Sequence, residues 1–436
     1  MQDPSSEFLA VAEVLGHTEG SQGGALWQGD TVCTYFGAAT PEDLSRLACR
    51  ATEAQRHQRL STFFNPSIAL RSRLGQGIHD RGEAAVFAAF QLSPEDRANV
   101  QKQLPAPVKA VSVISKRVAA GEEWDVSVRG EAWGLDDSHD LYVIVNAGTV
   151  ILERGASIAV RGNVLSLLCQ RLIVEDEGSP YHIGILPTPF SVDLRGGPLH
   201  GPPGARGANG HEGSSGRTMH VIPNILGGSL AHDISQEELH GHDGVRGADG
   251  STGKDGRNGG MAKFAEITLR DVEGVVTLFV QAGTGGDGGR GGDGGDGGRG
   301  GDGARAYKVI REVFRGGNGG KGGDGGNGGE GGRAGSGGIA SNVYINVQPG
   351  QEDRIRVTAL ASAPGNPGSG GNGGKAGDGG CVGAGPRSEL NGTPGGRGVD
   401  GSPGRGGRHG RSRPAPYVFL NETRYCEERM LQCQQD

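Results

Sequence analysis

Three periods divide the chain. In residues 1 to about 105 apolar positions recur at helical spacing. Ser5 or Ser6 offers a cap for a short helix through Phe8, Leu9, Val11 and Val14–Leu15, stopped by Gly16. Thr40-Pro41-Glu42-Asp43 is a sharper start, with an N-cap hydroxyl, a proline at the first helical position and acids against the helix dipole. Leu44, Leu47, Ala48, Ala51, Ala54 and Leu60 continue that helical face, and Ser93-Pro94-Glu95-Asp96 repeats the device before Ala98 and Val100. From Val108 the period becomes two. Val111, Val113, Trp124, Val126 and Val128 alternate with polar residues, and Leu141–Val145, Thr149–Leu152, Ser157–Val160 and Val164–Val174 are short β runs separated by Gly148, Gly155 and Gly162. Short strands punctuated by single glycines predict a β framework, either β-helix-like or a sandwich.

After Asp193 glycine tracts cover about 196–216, 241–260, 283–303, 315–338, 364–386 and 392–410. Between them lie the β segments Phe264–Leu269 with Val275–Val280, Tyr307–Phe314, Val343–Val347 with Ile355–Leu360, and Tyr417–Leu420. A flexible linker has no reason to be cut up by strands, so the expectation is a β base from which glycine-rich excursions project and return. The organisation read from the sequence is a helical N-terminal region (1–105), a β-strand framework (106–195), a glycine-rich helix bundle with interleaved strands (196–416), and a strand with a terminal helix (417–436). Asn421 is the expected cap of that last helix, which carries Tyr425, Cys426, Met430, Leu431 and Cys433. It reaches Asp436 with no stop signal, which suggests continuation in a longer protein.

Within the tracts glycine keeps a period of three. Gly201, Gly204, Gly207, Gly210, Gly213 and Gly216 hold the step, as do Gly241 to Gly259, and the third and fourth tracts are stricter Gly-Gly-X repeats. A polyproline-II helix has three residues per turn, so each residue of a triplet owns one face and glycine leaves that face bare. The geometry satisfies no backbone group internally, so ordered helices must bond to one another. Helices with two bare faces belong at the centre of such a bundle and those with one at its margin. The X residues then form columns: Asp287, Arg290, Asp293, Asp296, Arg299 and Asp302 in one tract, and Asn318, Lys321, Asp324, Asn327, Glu330 and Arg333 in the next. Asp287, Arg290, Asp293, Asp296, Arg299, Asp302, Lys321 and Asp324 are the candidate binding surface. Over about 196–410 the tracts resemble polyglycine-II bundles, such as the N-terminal domain of the Obg GTPases and the tips of some phage tail-fibre adhesins. The resemblance implies left-handed glycine helices on a β framework. No G-x-x-x-x-G-K-[ST] accompanies it, because Gly320-Lys321 continues to Gly322 and Gly253-Lys254 to Asp255.

Composition favours this reading over a large conventional core. Glycine supplies 86 of 436 residues and aromatics only 5%. Disorder is the competing outcome for such a chain, and a collagen trimer the competing ordered one, although Gly-Gly-X lacks the proline that stiffens it. The net charge of −7 gives no global attraction to nucleic acid or anionic membrane, and no apolar run spans a bilayer. No secretory signal is read at Met1, which leaves the compartment open between the cytoplasm and export by a non-standard route. Six scattered cysteines lack a CxxC and read as free thiols, with a Cys33–Cys49 disulfide as the alternative. Gly291–Asp296 only partly fits a calcium β-roll, and His240-Gly241-His242-Asp243 resembles a metal corner without further ligands. Gly404–Arg413 resembles an RGG segment but has no interleaved aromatics. No nucleophile–base pair is present, and Glu175-Asp176-Glu177 reads as a polar turn. The expected function is a non-catalytic structural or binding scaffold, adhesin-like or an assembly module, that needs no cofactor or metal. Its partner is a protein or glycan surface rather than nucleic acid, and an oligomer is compatible with it. The alternatives are an intracellular RNA- or ribonucleoprotein-docking domain and a β-helix enzyme acting on carbohydrate.

Overall fold

The computed structural model describes residues 5–64, 81–130, 140–176, 179–189, 199–225, 227–310 and 312–425. The N-terminal region holds α1 (Ser6–Val14), α2 (Gly20–Trp27), α3 (Pro41–Ala48), α4 (Glu53–Phe63), α5 (Arg81–Phe87) and α6 (Pro94–Gln101). Ser5, Thr40 and Ser93 cap α1, α3 and α6 through their hydroxyls, and Gly16 follows α1 at a φ of 75° that favours glycine. Two features depart from the sequence reading. The region also contains a strand, β1 (Val32–Ala38). The face from Leu44 to Leu60 belongs to two helices, because α3 ends at Ala48 and Thr52 starts α4 with a capping box.

The rest of the fold is dominated by a large, mostly parallel sheet. Its order is β1-β2-β4-β6-β10-β13-β15-β16, with β2 (Ala106–Val118), β4 (Tyr142–Leu152), β6 (Val164–Val174), β10 (Ala265–Leu269), β13 (Val343–Val347), β15 (Val418–Leu420) and β16 (Thr423–Arg424). Only β1 and β16 run antiparallel to their neighbours, and β11 (Val272–Glu273) also pairs with β6. A second, parallel sheet has the order β14-β12-β7-β5-β3, from β3 (Glu123–Asp125), β5 (Ser157–Arg161), β7 (Ile183–Leu186), β12 (Val276–Gln281) and β14 (Ile355–Leu360). β8 (Val221–Asn224) and β9 (Gly227–Leu230) form a separate antiparallel pair. The chain alternates between the sheets, so each strand pairs with the one from the previous circuit. Val143, Val145, Leu165, Leu167 and Ile267 of the first sheet pack against Ile158, Ile183, Val276 and Leu278 of the second. The alternate residues Tyr142, Ile144, Leu168, Phe264 and Tyr344 pack against Leu44, Leu47, Phe63 and Phe87 of the helices. The first sheet is therefore buried on both faces, which explains its uninterrupted apolar runs.

The single glycines divide into two kinds. Gly155 and Gly162 lie in turns at φ 73° and 67°. Gly148 breaks nothing: β4 runs through it, because a Cβ there would strike the Ile114 carbonyl. At the other end Asn421 caps no helix. It sits at φ 46° in the tight turn between β15 and β16, and the remainder of the expected helix lies outside the described residues.

The glycine tracts carry no internal helix or strand pattern, yet at least every third N–H along each is bonded to a neighbouring tract. They are numbered here from one to six in chain order, beginning at residues 199, 239, 283, 316, 363 and 391. Every third N–H of tract 1, from Gly201 to Gly216, donates to the carbonyls of Asp287 to Asp302 in tract 3 at 2.7–2.8 Å. In the same way tract 3 donates to tract 5 (Gly285 to Ala363, Gly294 to Asn372), tract 2 to tract 4 (Gly241 to Asn318) and tract 4 to tract 6 (Gly319 to Thr393). These contacts are parallel. Antiparallel contacts join consecutive tracts: Gly295 donates to Ala248, Gly326 to Gly295, Gly374 to Gly326 and Gly401 to Gly374. Tracts 1, 3 and 5 thus form one row and 2, 4 and 6 another. The odd tracts leave β7, β12 and β14, which are neighbours in the second sheet, and the even tracts enter β10, β13 and β15, neighbours in the first. Each row continues one sheet. The two Gly-Gly-X tracts, 3 and 4, each bond four others, whereas tracts 1 and 6 bond two.

A Cβ at Gly295 would overlap the carbonyl of Ala208, and the backbone of tract 1 cannot yield there without losing several hydrogen bonds together. Gly295→Val is expected to lower the melting temperature by many degrees, while Asp296→Asn, which keeps an acceptor oxygen, leaves it within a degree or two. Thermal melts of the two variants compare them directly.

Candidate functional site

The eight candidate residues divide between the two rows. Asp287, Arg290, Asp293, Asp296, Arg299 and Asp302 lie on tract 3, whereas Lys321 and Asp324 lie on tract 4 in the other row. They are not one patch. Their side chains are also engaged. The N–H of the X residues is reached by no carbonyl, and at many of them a short acceptor on the preceding tract of the row takes it up. Oδ1 of Asp287 accepts from Asn366 N at 2.6 Å, Asp293 from Asn372 at 2.7 Å, Asp296 from Lys375 at 2.8 Å and Asp302 from Cys381 at 2.7 Å. On the other row Asp324 accepts from Val399 N at 2.8 Å, and Asp243, Asp249 and Asp255 of tract 2 accept from Lys321, Asn327 and Arg333 of tract 4 at 2.6–2.7 Å. Asp and Asn suit this role because one methylene carries an oxygen across a single gap between tracts.

The cations follow a second rule. Arg290 pairs with Asp293 at 2.6 Å, Arg299 with Asp302 at 2.5 Å, Lys321 with Asp324 at 3.5 Å, Arg246 with Asp249 at 2.6 Å and Arg397 with Asp400 at 3.0 Å, always three residues apart with the cation first. These exposed pairs mainly cancel charge within a column and add little stability. The backbone donors have the larger electrostatic effect: the N–H of Asn366, Cys381 and Val399 holds the carboxyls of Asp287, Asp302 and Asp324 below the usual range, with Arg299 adding to Asp302 and Lys321 to Asp324.

The remaining motifs are absorbed into the same ladder. His240 Nδ1 accepts from Asn318 N at 2.8 Å while Asp243 serves Lys321, so the histidine corner acts as an acceptor pair. Among the described residues no three His, Cys, Asp or Glu side chains converge as a metal site. Cys33, Cys49, Cys169 and Cys381 are unpaired, so Cys33 and Cys49 form no disulfide. Burial pushes the Cys49 and Cys169 thiols up to about 12. Cys49 therefore lines an open depression of about 380 Å³, beside Glu42, Arg46 and Arg56, as a protonated thiol. Of the acidic cluster, Glu177 lies outside the described residues, and the Asp176 carbonyl lies 2.7 Å from His182 Nε2.

One buried cluster has no counterpart in the sequence reading. Arg59 of α4 is fully buried and reaches Glu266 of β10 and Glu422 of the β15–β16 turn, both at 2.8 Å, beneath a 4.4 Å contact with the Tyr344 ring. Glu266 also accepts from Arg50 N at 2.9 Å and Ala51 N at 3.1 Å, which fixes the break between α3 and α4. The cluster fastens the helices to the sheet. A charge within the β segment Phe264–Leu269, at Glu266, was its trace in the sequence.

No protein-family model matches the chain, and no curated protein matches it, so the likeness to Obg or adhesin domains has no support from either comparison. Among solved structures the chain is similar to the nine polyproline type II helical bundle springtail antifreeze protein from Granisotoma rainieri. The match is 21% identical, covers 48% of this chain and 94% of that one, and has a TM-score of 0.07, at which no common fold is established. No helix among the described residues is long and apolar enough to cross a membrane.

Two predictions follow from this chemistry. Because Asp287, Asp302 and Asp324 titrate lower in the folded chain than in the unfolded one, their contribution is complete above the ordinary carboxylate range and is lost as the pH falls through the depressed values. Melts between about pH 5 and pH 2 should show less acid sensitivity in the triple Asn variant than in the parent. Removing the cation of the buried cluster by Arg59→Met strands two carboxylates and should cost about 3–5 kcal/mol in chemical denaturation.

Proposed function

We propose that the chain is a non-catalytic scaffold in which the glycine tracts adopt polyproline-II form and stand as a bundle on a β-helix-type coil of strands. The bundle presents its charged columns to a protein or glycan partner. The observation that carries this reading is the bonding of every third N–H of a tract to a neighbouring tract, repeated without slippage along each tract. Three residues per turn is the period that brings the same face back to the same neighbour. The lack of internal hydrogen bonding in the tracts agrees with it. A helix rising about 3.1 Å per residue makes each tract near 60 Å long, a rigid surface built with few apolar side chains.

The columns suit recognition because their charges recur at fixed steps on an ordered backbone. Asp287, Arg290, Asp293, Asp296, Arg299 and Asp302 mix both signs along one line, and Lys321 and Asp324 add a second line in the other row. Exposed charges of this kind are screened beyond about 8 Å at physiological ionic strength, so capture should weaken with salt.

Amide exchange tests the architecture separately from the function. Exchange should be slow across Gly285–Gly301 and Gly316–Gly332, and random-coil rates there would remove the bundle. For the function, the purified chain is screened on a glycan array and against surface-protein extracts at low and high salt. Replacing Asp287 and Asp293 by Asn and Arg290 and Arg299 by Gln keeps the ladder acceptors while removing charge. It should abolish capture with the melting temperature nearly unchanged. Retained capture moves the contact elsewhere, and turnover of a polysaccharide that is lost on changing carboxylates within 141–193 overturns the non-catalytic reading.

A further inference from the structure

Arg405, Arg408 and Arg411 of tract 6 stand outside the spacing that pairs five of the tract cations with an aspartate. Arg246, Arg290, Arg299, Lys321 and Arg397 each have an aspartate three residues on. At Arg405 the residue three further on is Arg408, and at Arg408 it is Arg411. The three are anchored at successive steps, since their carbonyls accept from Gly331, Ala334 and Gly337 of tract 4 at 2.8–2.9 Å. They therefore share one column. All three are exposed, as is Arg333 on the adjoining tract-4 column, whose N–H is held by Asp255. None of the four has a carboxylate within ion-pair distance among the described residues, although column-mates elsewhere do. Like charges at consecutive steps oppose folding, so stability does not explain them.

We propose that Arg405, Arg408 and Arg411, with Arg333 beside them, form a binding stripe for a linear acidic polysaccharide. The site is separate from the mixed-sign columns of tract 3, but its step length rests on the extended form proposed for the tracts. Guanidinium groups bind carboxylate and sulfate through paired N–H donors. One step of the column is about 9 Å, close to the length of one disaccharide in an extended glycan. A glycan with one anionic group per disaccharide thus meets one arginine per repeat. Nucleic acid fits less well. Its charges lie closer together, about 3.4 Å apart along one strand of a duplex, and neither tract 6 nor tract 4 carries an aromatic side chain on which bases could stack. Glycine flanks Arg405 on both sides and precedes Arg408, which keeps that part of the stripe free of competing side chains.

The probes are size-defined hyaluronan and keratan sulfate oligosaccharides, which carry one carboxylate and about one sulfate per disaccharide respectively, with single-stranded poly-uridylate as the competitor class. The full chain is titrated calorimetrically at several salt concentrations. One of the glycans should bind, and Arg405→Gln, Arg408→Gln and Arg411→Gln together should raise its Kd at least tenfold and flatten the salt dependence. Paired arginines outside the tract-3 column serve as the control: Arg246→Gln with Arg397→Gln should leave that Kd within twofold. A melting temperature equal to or above the parent's shows that the triple variant is folded, and the single Arg408→Glu exchange provides a second variant. Equal loss in the control pair, unchanged affinity in the triple variant, no binding of either glycan, or tighter binding of poly-uridylate each overturns the proposal. Slow amide exchange in tracts 3 and 4 alongside any of these leaves the extended bundle standing and removes only the stripe.

Discussion

The structure depends on one constraint: an extended glycine tract satisfies none of its own backbone groups. Every N–H and C=O that is not turned to water needs a partner from another tract, and fixing glycine costs on the order of 1–2 kcal/mol per residue. Only contacts made in large numbers and at close range can offset that. Bare glycine columns permit the approach, and the Asp and Asn ladder supplies acceptors for the N–H groups that the carbonyls miss. Sequence choice in the tracts follows from this. Glycine stands where a Cβ would overlap a neighbouring carbonyl, as at Gly295 and Gly326. Short acceptors stand where an unmet N–H faces the next tract of the row.

Register is set outside the tracts. Val276 to Gln281 of β12 pair in step with Ile355 to Leu360 of β14, so tracts 3 and 5 leave the second sheet already aligned. The alignment then persists: the residues joined by Asp287, Asp293, Asp296 and Asp302 are separated by the same 79 positions at every step. Strands in a sheet lie about 4.7–4.9 Å apart, and tracts held by hydrogen bonds of similar length continue that spacing without a splice. The helices act one level further out. Arg59, Glu266 and Glu422 bind α4 to β10 and to the β15–β16 turn, so the strands that receive tracts 2 and 6 are clamped by one buried charge cluster.

Much of this was legible in the residues, and the exceptions have physical causes. The period of three, the caps at Ser5, Thr40 and Ser93, and the central place of the Gly-Gly-X tracts follow from local geometry alone. The ladder did not, because whether Asp293 is a solvated charge or the acceptor for Asn372 depends on a tract 79 residues away. The break after Ala48 was hidden for the same reason. Ala51 and Ala54 suit a helix, and Glu266 diverts the chain by taking up the N–H groups of Arg50 and Ala51. Asn421 and Glu422 read as a helix start, but pairing of β16 with β15 and burial of Glu422 against Arg59 require a turn. Gly148 resembled the turn glycines because sequence does not separate a positive φ from a close approach.

The same constraint bears on the margins of the hydrogen-bonded tracts. In tract 4 the column from Gly316 to Gly331 lies so close to the carbonyls of tract 5 that any side chain would collide. The corresponding column of tract 6 reads Asn391, Pro394, Arg397, Asp400 and Pro403, so a further tract could neither approach nor receive an N–H from the two prolines. At the opposite margin tract 1 places Pro202, Ala205, Ala208 and His211 where tract 3 has Gly289, Gly292, Gly295 and Gly298. Edge strands of sheets resist unwanted extension with prolines and charges, and these margins use the same means against the addition of another glycine tract. The side chains that replace glycine at tracts 1 and 6 bar a further glycine tract from those columns.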